Sequence, residues 1–137
     1  MSLSVSIEAC ENHLYVQVKG VDNTVEAIDR FNEVLDACRQ YNMSRVLIDF
    51  REVQGETFRF ERYIYVTSIA EQIEQYLAAG GVPLRIAFVG PESMISDDKY
   101  GEDIAADHNL DMFETTEITE ATEWLEIDSQ QDLDEIE

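Results

Sequence analysis

Two short stretches, Arg45 to Phe50 (RVLIDF) and Leu84 to Val89 (LRIAFV), are almost continuously apolar and lie a helix's length apart. A strand wetted on one face alternates apolar and polar residues. A strand covered on both faces does not, and parallel sheets are covered in that way by the helices that connect their strands. The two runs therefore predict buried strands in a parallel or mixed sheet, the first of them central. Between them, after a loop from Arg51 to Glu56, Thr57 is placed to cap a helix reaching about Tyr76, and Gly80-Gly81 to stop it. Phe60, Tyr63, Ile64, Ile69, Ile73 and Leu77 fall near helical spacing along this segment and predict its inward stripe.

The other elements follow from the same periods. Leu3, Val5 and Ile7 alternate with Ser4, Ser6 and Glu8, and a second strand-like run spans His13 to Lys19, which predicts an opening hairpin. Asn23 followed three residues later by Glu26 has the spacing of a capping box. It predicts a helix over 24–41 with Ile28, Phe31, Val34, Leu35 and Cys38 inward. After Gly90-Pro91 come a short helix over 99–107, a strand over 110–114, and a last helix with Ala121, Trp124 and Leu125, capped by Thr116 or Thr119. The predicted fold class is α/β, a mixed sheet with helices chiefly on one side, in the order β-β-α-β-α-β-α-β-α. Residues 1–126 form the domain. Residues 127–137, acidic and poor in apolar side chains, are expected to be a mobile tail.

At 137 residues the chain is long enough for a single core, and its 45% hydrophobic content is ordinary. Its charge is not. Nine Lys and Arg face 30 Asp and Glu, a formal net charge of −21. A nucleic-acid partner requires clustered cations, so none is expected. No apolar run approaches the roughly 20 residues that span a bilayer, and no signal-like segment opens the chain, so membrane insertion is not expected and a cytoplasmic location is. Cys10 and Cys38 lack CxxC spacing and are expected to be free thiols.

The segments RVLIDFREVQGETF (Arg45 to Phe58), RIAFVGPE (Arg85 to Glu92) and DMFETTEITEATEWL (Asp111 to Leu125), taken in this element order, resemble the STAS family. These are small bacterial domains similar to the anti-sigma-factor antagonist SpoIIAA, and the likeness is greatest to the STAS/SEC14-like subgroup. The resemblance covers about residues 3 to 126. It implies a SpoIIAA-like fold and a non-enzymatic regulatory or protein-interaction role, with a protein partner or a second copy of the chain. For the SEC14-like subgroup it implies instead a carrier or sensor of a small apolar or anionic ligand. STAS phosphoswitches carry a Ser, usually within Asp-Ser-(Ser/Ala)-Gly, at the start of the helix after the third strand. This chain has Gln54-Gly55-Glu56-Thr57-Phe58 there, so Thr57 is the one hydroxyl available as phosphoacceptor or plain helix cap.

Arg45, Arg51, Arg59 and Arg62 gather around this same loop and helix start. Guanidinium groups beside unpaired helix-end amides can hold a carboxylate or phosphate. They can equally pair with Asp49, Glu52, Glu56 and Glu61. The helix is rich in aromatic residues, with Phe58, Phe60, Tyr63, Tyr65 and Tyr76 exceeding what one inward stripe takes. Arg51, Gly55, Phe58, Arg59, Phe60, Arg62 and Tyr63 form the candidate ligand or partner surface, Gly55 shaping its loop. His13 and His108 fit no metal pattern, Asp97, Asp98 and Asp103 do not complete a calcium loop, and no GxSxG, Walker or GxGxxG motif occurs. No metal, cofactor or catalytic residue is expected.

Overall fold

The computed structural model describes residues 3–21, 23–55, 59–92, 95, 100–108 and 110–127, with the side chains of Arg59, Phe60 and Tyr100 outside that description. Five strands, β1 (Leu3–Ala9), β2 (Leu14–Val21), β3 (Arg45–Gln54), β4 (Arg85–Val89) and β5 (Asp111–Thr115), form one sheet in sequential order. β1 runs antiparallel to β2, and the remaining neighbours are parallel. The helices are α1 (Thr24–Tyr41), α2 (Arg59–Ala78), α3 (Tyr100–Asp107) and α4 (Ile118–Leu125).

The sheet separates two apolar clusters. Val16, Val46, Ile48, Ile86 and Met112 pack with Phe31 and Leu35 of α1, Ile69 and Ile73 of α2, and Ile104 of α3. On the other face Leu47, Ala87 and Val89 meet Ala121 and Leu125 of α4. Three helices thus cover one face and one covers the other, which is why β3 and β4 are apolar on both sides.

Local details depart from the sequence expectation in instructive ways. Asn23 caps α1 as its spacing predicts, its side chain accepting from the Glu26 amide at 3.1 Å. The reciprocal half of the capping box is missing, because the Glu26 carboxylate accepts from Leu3 N at 2.5 Å and ties α1 to the edge strand. The inward residues of α2 are Val66, Ile69, Ala70, Ile73 and Tyr76, whereas Tyr63 and Leu77 are exposed. Aromatic and branched residues surround this helix, so periodicity alone misplaces its stripe by part of a turn. The N-cap of α4 is Glu117, without a side-chain cap bond, rather than Thr116 or Thr119. Thr115 serves that helix start instead: its hydroxyl accepts from Glu117 N at 3.0 Å and donates to the Glu120 carboxylate.

β3 is longer than the apolar run that announced it, continuing through Arg51 to Gln54. Between Gln17–Asp49 and Lys19–Glu52 the register shifts, so β3 carries one extra residue there. Such a bulge reverses which residues face the core. Val46, Ile48 and Phe50 face α1 and α2 before it, and Val53 does so after it. Ile127, assigned from the sequence to the tail, is buried in the α4 cluster.

Candidate functional site

The carboxyl ends of β3, β4 and β5 open beneath the starts of α1 and α2. A pocket of about 70 Å³ lies there. Phe50 of β3, Phe88 and Gly90 at the end of β4, and Met112 and Glu114 of β5 line its floor; Thr24 and Ala27 of α1, Arg62, Tyr65 and Val66 of α2, and Ile95 complete it. Three rings form its aromatic wall. Phe50 stacks on Phe88 with centroids 5.9 Å apart, and Tyr65 stands edge-on to both, at 6.3 and 6.1 Å. Burial pushes the Tyr65 hydroxyl well above its usual range, so it is neutral at physiological pH. The starts of α1 and α2 are joined beside the pocket by a hydrogen bond from Thr24 Oγ1 to Glu61 Oε2 at 3.2 Å.

Strand alternation turns Arg51 away from this pocket, onto the face that Leu47 and Asp49 share. Asp49 is 1% exposed on the α4 side of the sheet. Its Oδ1 accepts from the backbone N and Nε of Arg51 at 2.9 Å each, and its Oδ2 from an Arg51 terminal nitrogen at 2.7 Å and from Tyr15 Oη at 2.6 Å. Burial drives the Asp49 carboxyl upward, but the hydrogen bonds and charge of Arg51, with the Tyr15 bond, outweigh it and hold the group below its ordinary value. The Tyr15 hydroxyl is pushed up to about 12, first by burial and then by Asp49. This cluster is a structural tie between β2 and β3.

Among the described residues, Arg51 and Arg62 of the predicted surface lie on opposite faces of the sheet. Arg62 and Tyr65 meet at the pocket, while Arg51 is engaged with Asp49 on the opposite face of the sheet. Tyr63 is 49% exposed on α2. Gly55 ends β3 with φ of 109°, in the region where L side chains are strained. Arg59 and Phe60 belong to the first turn of α2, and Thr57 and Phe58 lie outside the described residues. Sequence reasoning missed Phe50, Phe88, Met112 and Glu114 as pocket residues, because each sits in a run that reads equally well as plain core. A signal was present in Gly90-Pro91: a break directly after a buried parallel strand marks the carboxyl edge where such pockets form.

His13 is buried, and burial lowers its pKa to about 4 against a weak opposing pull from Glu8. Cys10 and Cys38 are free thiols, and burial pushes that of Cys38 up to about 12. Among the described residues no group of three or more His, Cys, Asp or Glu is arranged to hold a metal ion, and no helix is long and apolar enough to cross a membrane.

No protein-family model matches the sequence, and no curated protein aligns with it. Solved structures do match. An anti-sigma factor antagonist from Mycobacterium paratuberculosis superposes with a TM-score of 0.55 at 12% identity, over 91% of this chain and 95% of that one. A DUF3478-family protein with a SpoIIAA-like fold, from Shewanella loihica PV-4, superposes with a TM-score of 0.51 at 14% identity, over 90% and 94%. The chain has the SpoIIAA-like fold. Within this SpoIIAA-like architecture the pocket sits between the starts of α1 and α2 at the carboxyl edge of the sheet.

Proposed function

We propose that the chain is a non-enzymatic regulatory module that acts by binding another protein through the joined starts of α1 and α2. The observation that carries this reading is a pair of exposed apolar side chains there, Val25 at 71% and Tyr63 at 49% exposure, in helix turns linked by the Thr24–Glu61 hydrogen bond. Aromatic side chains are enriched at the centres of protein contacts, and Val25 and Tyr63 bring apolar surface to two joined helix starts. The likeness to an anti-sigma factor antagonist, a protein named for its action on a regulatory protein, supports the same reading. The partner is expected to be basic around an apolar centre. The chain as a whole carries a net charge of −21, and a field of that sign attracts cations and repels anions.

Affinity capture with the wild-type chain and a Val25→Asp/Tyr63→Asp double variant as parallel baits tests this. Both substitutions are at exposed positions, so circular dichroism should be unchanged. A protein held by the wild type and reduced at least tenfold on the variant is the expected result. Equal retention by both baits rejects the surface.

A further inference from the structure

We propose that the outer edge of β1 takes up an extended, basic segment of another protein as an added strand. This contact does not rest on the Val25–Tyr63 surface, since main-chain groups of a different element make it. The hydrogen bonds at the two ends of β1 set which groups point outward. Cys10 N donates to His13 O at 2.8 Å, and the register then places Ala9 opposite Leu14. In an antiparallel pair, residues that exchange hydrogen bonds alternate with residues that do not. Ser4, Ser6 and Glu8 therefore bond to β2, and Leu3, Val5, Ile7 and Ala9 turn their N–H and C=O groups outward. Leu3 has that phase, because its N donates to the Glu26 carboxylate of α1 at 2.5 Å. Beyond Leu3, the described residues supply no partner for the outward groups of Val5, Ile7 and Ala9. The opposite edge differs. Thr115 O of β5 accepts from Gly90 N, so Glu114 N points outward, and the Glu102 carboxylate of α3 accepts from it at 2.8 Å. β1 runs for seven residues without the proline, lysine or bulge that blunts an exposed edge.

The side chains of β1 and the charge of the chain set the occupant. Val5 and Ile7 pack, partly covered, against the α1 side of the core, and Ser4, Ser6 and Glu8 are exposed on the other face. A strand laid beside them continues that alternation, with apolar residues toward α1 and polar ones away from it. The net charge of −21 selects basic residues at the polar positions. A second copy of the chain presents the same edge but also the same charge, and is repelled.

The test uses the full chain and a blocked heptapeptide probe, acetyl-Lys-Val-Lys-Val-Lys-Val-Lys-amide, together with two alternately N-methylated forms of it. Methyl groups on the valine nitrogens block an antiparallel added strand and those on the lysine nitrogens a parallel one, with charge and side chains unchanged. The expected result, read by amide-resolved NMR, is that hydrogen exchange at Val5, Ile7 and Ala9 slows at least tenfold with the unmodified peptide. One methylated form should bind at least tenfold more weakly and the other should not. Ile7→Pro removes the central outward N–H and leaves the bonds of Ser6 and Glu8 to β2 in place, so it should weaken the peptide at least tenfold; the methylated peptides carry the test independently of how that variant folds. Four outcomes overturn the proposal: no added protection at the three amides with millimolar peptide, equal binding of both methylated forms, undiminished binding by a folded Ile7→Pro variant, or the same protection arising without peptide as the chain dimerises, which would make a second copy the occupant.

Discussion

Two buried polar residues govern how this molecule should respond to acid, and they act in different pH windows. His13 has its pKa lowered to about 4 by burial, below the 6.5 of an unfolded histidine. Its contribution to stability is therefore complete above pH 6.5 and is lost as pH falls toward 4, a span worth about 3 kcal/mol at most. Urea midpoints measured at pH 7, 6 and 5 should fall steadily in the wild type and stay nearly level in His13→Leu; parallel curves would mean that His13 is not the titrating group. Asp49 acts lower down. Its carboxyl is held below its ordinary value, so its contribution persists above about pH 4 and disappears only as pH drops through the depressed folded-state value. Arg51→Leu leaves the buried carboxylate with Tyr15 and one backbone amide, and should lower stability by about 1–3 kcal/mol, the Arg51 side chain being partly exposed. It should also move the acid-unfolding midpoint upward. An unchanged urea midpoint would show that the pair is screened like any surface bridge. Asp49 and Arg51 were visible in the sequence as neighbouring opposite charges, but their partner Tyr15 was not, since 34 residues separate Tyr15 from Asp49 and only strand pairing joins them.

At the scale of elements, helix ends carry much of the local specification, and they differ in how openly they are written. After α2, Gly80 N donates to Leu77 O at 3.0 Å and Gly81 N to Tyr76 O at 2.9 Å, with Gly80 at φ of 99°. This is a Schellman end that Gly80-Gly81 announces. A Cβ on Gly81 would lie 2.3–2.6 Å from the Tyr76 ring, which is itself buried. Gly81→Ala should therefore destabilise by about 1–3 kcal/mol through overpacking, read as a fall in thermal midpoint; a neutral result would mean the ring swings aside freely. The end of α4 has the same hydrogen bonding, from Ile127 N to Thr122 O at 3.1 Å, but places Glu126 at φ of 60°. An acidic residue in that conformation gives no sequence signal. Glu126→Gly should stabilise by about 0.5–1 kcal/mol, because the Arg85–Glu126 contact it removes is a 3.5 Å pair with Glu126 largely exposed. A lower thermal midpoint in this variant would give that ion pair more weight than its exposure allows. The β3 bulge was equally silent, since an extra residue in one strand is defined only against its neighbour β2.

For the whole molecule the dominant fact is a net charge of −21 on 137 residues. Self-repulsion of this size should be relieved by screening, so the thermal midpoint is expected to rise by several degrees between about 10 mM and about 1 M sodium chloride; a flat profile would show that the carboxylates stand too far apart to repel. Fold class, strand and helix order, and the placement of most helices on one face were all legible in the sequence, because each depends on periods and caps within a dozen neighbouring residues. The buried runs around Val46 and Ile86 marked β3 and β4, and the alternation at Leu3, Val5 and Ile7 marked the edge. The candidate site was legible only in part. Arg62 and Tyr63 stood in a conspicuous basic and aromatic stretch, yet Arg51 from the same stretch faces the other side of the sheet, turned there by strand alternation that chain proximity does not reveal. Phe50, Tyr65, Phe88 and Glu114 come from four different elements, and what makes them a pocket is the space left between them. A void belongs to no segment of the chain. Local sequence determined which elements form, and only their packing against one another decided where the walls fail to meet.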